Sequence, residues 1–203
     1  MMEMNEHIQV YCKKLKLGRI GDIYDQIEAE TYEEFLLHCL EKEVQAQEHN
    51  KVQRLIKKAG FSQLKTLEDY DESWAPELPS TITMDALKDL SFLENQQNIM
   101  MVGSVGTGKT HLSTALGVEA CRRGKEVRFY RVSDLVSKLL EKHRNGTLHR
   151  FMQGFRKAEL IILDELGSVR FPQDGSELLF SLIAECYENT SVIVTSNLEF
   201  GQW

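Results

Sequence analysis

The most chemically distinctive stretch of this chain is residues 103–110, which read Gly-Ser-Val-Gly-Thr-Gly-Lys-Thr. It fits the phosphate-loop pattern G-x-x-x-x-G-K-[ST], called Walker A, at every fixed position. Glycines let the backbone approach a phosphate closely, so that successive N–H groups point at the anion. In such a loop the lysine reaches the β- and γ-phosphates and the final hydroxyl binds Mg²⁺. We therefore predict that Lys109 contacts the phosphates of ATP and Thr110 the metal; the alternative is a glycine-rich turn that happens to carry a lysine.

The sequence around this loop supplies the elements that a phosphate loop requires. Residues 98–102 form a short apolar run typical of a buried parallel strand, and residues 111–122 carry apolar side chains at helical spacing. The positive N-terminal end of that helix favours an anion. The residues predicted to bind ATP are Gly103, Ser104, Val105, Gly106, Thr107, Gly108, Lys109, Thr110 and His111.

Two adjacent carboxylates, Asp164 and Glu165, end a second apolar run at residues 160–163 and follow Lys109 by 55 and 56 positions. On their own, two acids at the end of a strand are equally typical of a solvated turn. Together with a phosphate loop they match the Walker B arrangement, in which one acid serves the metal and the other an attacking water. On a parallel strand beside the loop strand, Asp164 would reach Mg²⁺ and Glu165 the water.

A third apolar run, residues 191–195, leads into Asn197. A polar side chain just after this strand can sense the γ-phosphate, although an asparagine at such a position is also a common turn residue. We favour the sensor role. The predicted catalytic residues are Glu165, Lys109 and Asn197, and the predicted metal ligands are Thr110 and Asp164.

Strands and helices alternate through residues 98–197, which predicts an α/β fold with a parallel sheet covered by helices on both faces.

The N-terminal part shows helical spacing only, and Thr31 with Glu34 forms a capping box that opens a long helix. We predict a small all-helical domain at residues 1–60 and the α/β core at residues 61–203. The core begins with an irregular strap that contains Trp74 and Pro76.

The composition is that of an ordinary globular protein, with 42% hydrophobic and 27% charged residues among 203. No apolar run approaches the roughly 18 residues of a membrane span, and the polar, acidic N-terminus does not resemble a secretory signal. We therefore expect a cytoplasmic protein that does not enter membranes. Reduced thiols are expected, since the four cysteines are far apart in sequence: Cys12, Cys39, Cys121 and Cys186.

The charge is unevenly distributed around a net value of −7. Residues 61–100 hold 2 basic and 8 acidic side chains, whereas residues 122–157 hold 11 basic and 3 acidic ones. A basic stretch in an acidic protein favours contacts with DNA phosphates, although a solvated cationic helix face is the common alternative. The candidate DNA contacts are Lys51, Arg54, Lys57, Lys58, Lys138, Lys142, Arg144 and Arg150.

Three stretches make the chain resemble the IstB-like proteins, the ATP-binding helpers of an insertion-sequence transposase and relatives of the DnaC helicase loaders among the AAA+ ATPases. They are residues 103–112, residues 160–167 (Leu-Ile-Ile-Leu-Asp-Glu-Leu-Gly) and residues 195–203 (Thr-Ser-Asn-Leu-Glu-Phe-Gly-Gln-Trp). The resemblance covers essentially the whole chain and implies an AAA+ core with a small helical domain before it.

The resemblance also implies an activity. Such a protein binds ATP and Mg²⁺, assembles as a homo-oligomer on double-stranded DNA, and recruits and stimulates the transposase, so an ATPase is expected. Two alternatives remain: a DnaC-like helicase loader, which differs in its partner, and a small-molecule kinase built on the same loop.

Members of the family continue past the position of Trp203 with a further strand, an arginine finger and a second sensor arginine. The resemblance therefore predicts a C-terminally truncated form that hydrolyses ATP poorly, since an arginine finger contributes roughly 10³–10⁵ in rate where it operates.

Overall fold

A computed structural model describes residues 4–71, 73, 78–79, 82–187 and 189–198. The chain divides into two compact units, Met1–Gln53 and Arg54–Trp203. Trp74 and Pro76 of the predicted strap, and residues 199–203 of the family-like C-terminal stretch, lie outside the described residues. No helix in the described ranges is both long enough and apolar enough to span a bilayer.

The first unit is built from helices. They are α1 (Met4–Leu15), α2 (Gly18–Ile23), a 3₁₀ turn (Tyr24–Gln26) and the start of α3 (Tyr32–Ala59). The predicted cap of α3 is confirmed, because Thr31 Oγ1 accepts the N–H of Glu34 at 3.1 Å. Within the unit, the buried carboxylate of Glu43 on α3 accepts the N–H of Ile20 at 3.0 Å, which fixes α2 against α3.

The second unit contains a four-stranded sheet with helices around it. Its elements are α4 (Met84–Lys88), α5 (Ser91–Glu94), β1 (Ile99–Val102), α6 (Lys109–Arg122), β2 (Val127–Arg131), α7 (Val132–Arg144), α8 (Leu148–Gln153), β3 (Leu160–Leu166), α9 (Gln173–Cys186) and β4 (Ser191–Ser196). All described pairings are parallel, in the order β1-β4-β3-β2. The expectation that the acidic strand lies beside the loop strand is wrong, because β4 lies between β1 and β3. An apolar run identifies a buried strand but does not identify its neighbours.

Successive side chains of β3 enter two different cores, which confirms a sheet covered on both faces. Leu160 and Ile162 belong to one buried cluster with α4, α5 and α6, whereas Ile161 and Leu163 belong to another with α7 and α9. Both faces are apolar, so β3 reads as a continuous hydrophobic run rather than an alternating one.

The carboxyl ends of the parallel strands meet at one edge of the sheet. Val102 of β1 is level with Ser196 of β4, Leu166 of β3 pairs with the same Ser196, and Arg131 of β2 is level with Asp164. In open α/β sheets ligands bind at this edge. The fold therefore assembles the phosphate-loop stretch, the acidic pair and the end of β4 in one place.

Candidate functional site

The loop between β1 and α6 has a backbone that favours glycine at two positions. Gly106 and Gly108 have φ angles of 86° and 80°, in the left-handed region. A Cβ atom on Gly108 would also lie only 3.3 Å from Cε2 of Tyr70. Gly108 immediately precedes α6, so this conformation lets the loop place the positive N-terminal end of that helix at the site.

Lys109, the first residue of α6, folds its ammonium group back into the loop. Its Nζ donates to the carbonyl oxygens of Gly103 and Ser104, both at 2.7 Å, and to Thr107 Oγ1 at 3.2 Å. Lys109 is 9% exposed, and this desolvation lowers its pKa, with Asp164 acting in the opposite direction. Phosphate oxygens would replace these neutral carbonyl and hydroxyl acceptors. Because phosphate oxygens are charged, they accept stronger hydrogen bonds from the ammonium.

Thr110 on α6 and Asp164 on β3, the predicted metal ligands, are in direct contact, although β4 lies between β3 and the strand β1 that precedes the loop. Thr110 Oγ1 donates to Asp164 Oδ1 at 2.9 Å, and Thr195 of β4 donates to the same oxygen at 2.6 Å. Asp164 is 1% exposed, and both hydroxyls hold this buried carboxylate. Hydroxyl and carboxylate oxygens are the hard ligands that Mg²⁺ prefers, and the pair is chemically suited to that ion.

Glu165 has a backbone conformation that the sequence did not reveal. Its φ of 62° costs a residue with a Cβ atom about 1–2 kcal/mol, and the register between β3 and β4 shifts between Leu163 and Leu166. The N–H of Glu165 donates to Thr195 Oγ1 at 3.0 Å. One threonine hydroxyl thus stabilises the bulge at Glu165 and orients Asp164.

Arg131, at the carboxyl end of the edge strand β2, lies beside the second acid. Its Nε is 3.6 Å from Glu165 Oε2, and both side chains are partly exposed, so the ion pair contributes at most about 1 kcal/mol. Sequence reasoning did not assign Arg131 to the site. The available signal was a basic residue at the end of a strand. Whether such a residue contacts Glu165 depends on the register between β2 and β3.

A cavity of about 150 Å³ lies between the loop and the strand ends. It is lined by Val105, Gly106, Thr107, Gly108, Lys109, Thr110, His111, Glu165, Thr195 and Asn197. The predicted sensor Asn197 therefore lies with the loop and the second acid, whereas Gly103 and Ser104 contribute carbonyl groups to Lys109 instead. Its lining by loop residues at the N-terminal end of α6 suits the phosphate chain of a nucleotide.

His111 also lines the cavity, but its ring is held by the segment before β1. Its Nε2 lies 3.3 Å from the carbonyl oxygen of Thr66, and its ring meets that of Tyr70 edge-on at 5.4 Å. These contacts connect the segment around Thr66 and Tyr70 to the first turn of α6.

Thr195 offers a direct test of how the acidic pair is held. Replacing Thr195 by valine keeps the shape of this buried side chain but leaves Asp164 Oδ1 and the Glu165 N–H without its hydroxyl, so the free energy of unfolding should fall by about 1–3 kcal/mol. Thr195→Ser keeps the hydroxyl and should lose about 1 kcal/mol or less, for one methyl group. Urea unfolding of both variants measures the difference; equal losses would show that packing, and not the hydroxyl, stabilises this point.

Within the second unit, the candidate DNA contacts are not all brought together. Lys58, Lys138 and Arg150 line two adjoining grooves beside Tyr130. The other candidates of that unit line neither groove: Arg54, Lys57, Lys142 and Arg144. Lys51 belongs to the first unit.

Comparison with known sequences agrees with this geometry. The profile of a family described as "IstB-like ATP binding protein" matches residues 15–203. The insertion sequence IS5376 ATP-binding protein of Geobacillus stearothermophilus is 33% identical over 207 residues, covering 98% of this chain and 82% of the relative. The insertion sequence IS21 ATP-binding protein of Pseudomonas aeruginosa is also 33% identical, over 173 residues, covering 85% of this chain and 65% of the relative.

Solved structures show the same fold. AMPPCP-bound DnaA from Aquifex aeolicus matches with a TM-score of 0.54 at 27% identity, over 66% of this chain and 42% of that one. A DnaC helicase loader matches with a TM-score of 0.53 at 27% identity, over 66% of this chain and 77% of that one. The second unit therefore has the phosphate-loop AAA+ fold of these proteins.

Proposed function

This chain belongs to the family of IstB-like ATP-binding proteins, and on that premise we propose that it is an ATP-dependent, DNA-binding regulator of transposition. In this role it oligomerises on double-stranded target DNA and recruits and stimulates a transposase. ATP binding favours assembly, and hydrolysis favours release from DNA or discrimination between targets.

The observation that supports an ATP site most strongly is the contact between the loop and β3. Thr110, which follows the loop lysine, donates its hydroxyl to Asp164 of β3 at 2.9 Å. If the stretch were only a glycine-rich turn with an incidental lysine, a hydrogen bond from the next hydroxyl to a buried carboxylate would not be expected. A site for Mg²⁺ and phosphates requires that arrangement, because the loop must present both the ammonium and the metal ligand to the same phosphates.

Each side chain has a defined task in this mechanism. Lys109 moves its hydrogen bonds from the loop carbonyls to the β- and γ-phosphates. Thr110 and Asp164 would hold Mg²⁺, which would supply positive charge against the phosphate oxygens. Glu165 accepts a proton from the attacking water, and Asn197 donates its side-chain amide to the γ-phosphate.

Nucleotide-dependent DNA binding tests this proposal. The affinity for a fluorescently labelled duplex should be higher with ATP than with ADP or without nucleotide, and Lys109→Ala should remove the effect of ATP. The logarithm of the affinity should fall with the logarithm of salt concentration by about 0.9 per phosphate contact. Anisotropy measures binding, and sedimentation velocity of the same samples measures assembly. Equal affinity in all three nucleotide states would contradict ATP control of DNA binding.

A helicase loader is the second candidate, favoured by the similarity to the DnaC structure. The two functions share the ATP site and differ in the partner protein. Pull-down with the full chain against a purified transposase and a purified replicative helicase separates them, since each function predicts retention of only one.

A further inference from the structure

A basic surface lies at the edge strand β2, and its lining shares no residue with that of the phosphate-loop cavity. Two grooves of about 420 Å³ and 390 Å³ adjoin there, and Lys58 and Tyr130 line both of them. The end of α3, β2, α7 and α8 contribute to this surface, which we call the β2 groove. All of its residues belong to the second unit.

Cations dominate the lining of the β2 groove, and among the described lining residues Asp134 is the one carboxylate. The cations are Lys58, Arg128, Arg131, Lys138 and Arg150.

Three of these cations already have acidic neighbours. Glu126 Oε1 accepts hydrogen bonds from Lys58 at 2.7 Å and from Arg128 at 2.8 Å, and Arg131 faces Glu165. Lys138 and Arg150 form ion pairs with no carboxylate in the described part of the chain. These two exposed side chains therefore carry the charge that is available to an incoming anion.

Part of the groove lining is an aromatic cluster. Tyr130 stacks on Phe155 with ring centroids 5.3 Å apart and meets Phe151 edge-on at 6.4 Å. The ammonium of Lys138 lies over the Tyr130 ring, 5.2 Å from its centroid, which holds this lysine at the groove. Burial raises the pKa of Tyr130, with Arg128 opposing, so the phenol stays protonated and can donate to an anion.

The extent of this surface favours a chain of phosphates over a single compact anion. Lys138 lines one groove and Arg150 the other, with Tyr130 between them. Cations spaced along an open surface match successive phosphates of a nucleic-acid backbone, which proteins bind through such side chains without reading sequence. A free polyphosphate shares this chemistry and is the other source of the same ligand groups.

We propose that the β2 groove binds backbone phosphates of double-stranded DNA, with Lys138 and Arg150 as the principal contacts. This assignment rests on the proposed DNA-binding function and gives it a specific surface. It also separates Lys138 from Lys142 and Arg144, which lie on the same helix outside the groove.

The test compares two double variants of the full chain with equal charge changes. Lys138→Glu/Arg150→Glu should weaken binding of a random-sequence 30-base-pair duplex about 100-fold, for two charge-assisted contacts, and reduce the salt slope by about 2. Lys142→Glu/Arg144→Glu, on α7 outside the groove, should change the affinity less than about threefold if direct phosphate contacts, and not the overall charge of the protein, determine the affinity. Both variants should bind a fluorescent ATP analogue like the wild type, which verifies that the second unit is folded.

The possible results are distinguishable. Equal weakening by both double variants would overturn the groove assignment and leave DNA binding in place. A wild-type protein that binds no duplex at 50 mM salt with ATP would contradict the proposed function, and the groove assignment with it. Calorimetry with tripolyphosphate on the Lys109→Ala protein tests whether a free polyphosphate is the ligand instead. The proposal would be overturned if tripolyphosphate binding required Lys138 and Arg150 while the affinity for the duplex did not depend on them. The groove would then be assigned to a free phosphate compound.

Discussion

Replacing Glu165 by glutamine is expected to lower kcat for ATP hydrolysis about 10²–10⁴-fold, the usual contribution of a general base. The glutamine keeps the size of the side chain and the backbone N–H that donates to Thr195, so the bulge in β3 should persist. The loop, Lys109 and Thr110 are unchanged, and the affinity for ATP should stay within about threefold. The variant should therefore trap the ATP-bound state, which single-turnover hydrolysis and equilibrium binding of a fluorescent ATP analogue measure separately.

Glu159→Gln is the matched control for this variant. Glu159 immediately precedes β3, at the opposite end of the strand from Glu165, and pairs with Lys125 on the surface. Replacing Glu159 by glutamine changes the charge of the protein by the same amount. Its kcat should equal that of the wild type. A Glu165→Gln protein with full turnover would show that another group takes the proton from water, and a parallel loss of ATP affinity would assign Glu165 to binding instead.

Local patterns were sufficient to predict the parts of the site that are contiguous in sequence. The spacing in residues 103–110 specifies a loop, since glycine is needed where φ is positive at Gly106 and Gly108. The run that ends in Asp164 and Glu165 specifies a buried strand with acids at its carboxyl end. Both predictions concern a few consecutive residues. The residue types themselves indicate which backbone dihedral angles and which degree of burial each position requires.

The parts that were missed depend on pairing between distant segments. No local pattern states that β4 lies between β1 and β3, so the double role of Thr195 toward Asp164 and Glu165 could not be derived. A buried threonine at a strand end was the available signal. The contact of Arg131 with Glu165 likewise follows from strand register, and the approach of Tyr70 to Gly108 follows from the path of an irregular segment.

Lys109→Ala is expected to weaken ATP binding about 30- to 1,000-fold, because truncating one partner of a buried charged hydrogen-bond pair costs about 2–4 kcal/mol. The same substitution should change the unfolding free energy of the protein without nucleotide much less. The Nζ of Lys109 donates three hydrogen bonds within the loop, and the variant loses them. The ammonium is also largely desolvated there, so the substitution removes the free-energy cost of burying this charge. The variant therefore separates nucleotide binding from folding.

Ligand-linked stability provides the measurement. At ATP concentrations of 100 times the wild-type dissociation constant, the wild type should gain about 2.7 kcal/mol in unfolding free energy, and Lys109→Ala about 0.9 kcal/mol or less at the same concentration. Lys157→Ala removes an exposed cation outside the loop and should keep the full gain. If Lys109→Ala keeps that gain too, the backbone amides of the loop and the N-terminus of α6 hold the phosphates without the lysine, because no other described cation lines this cavity.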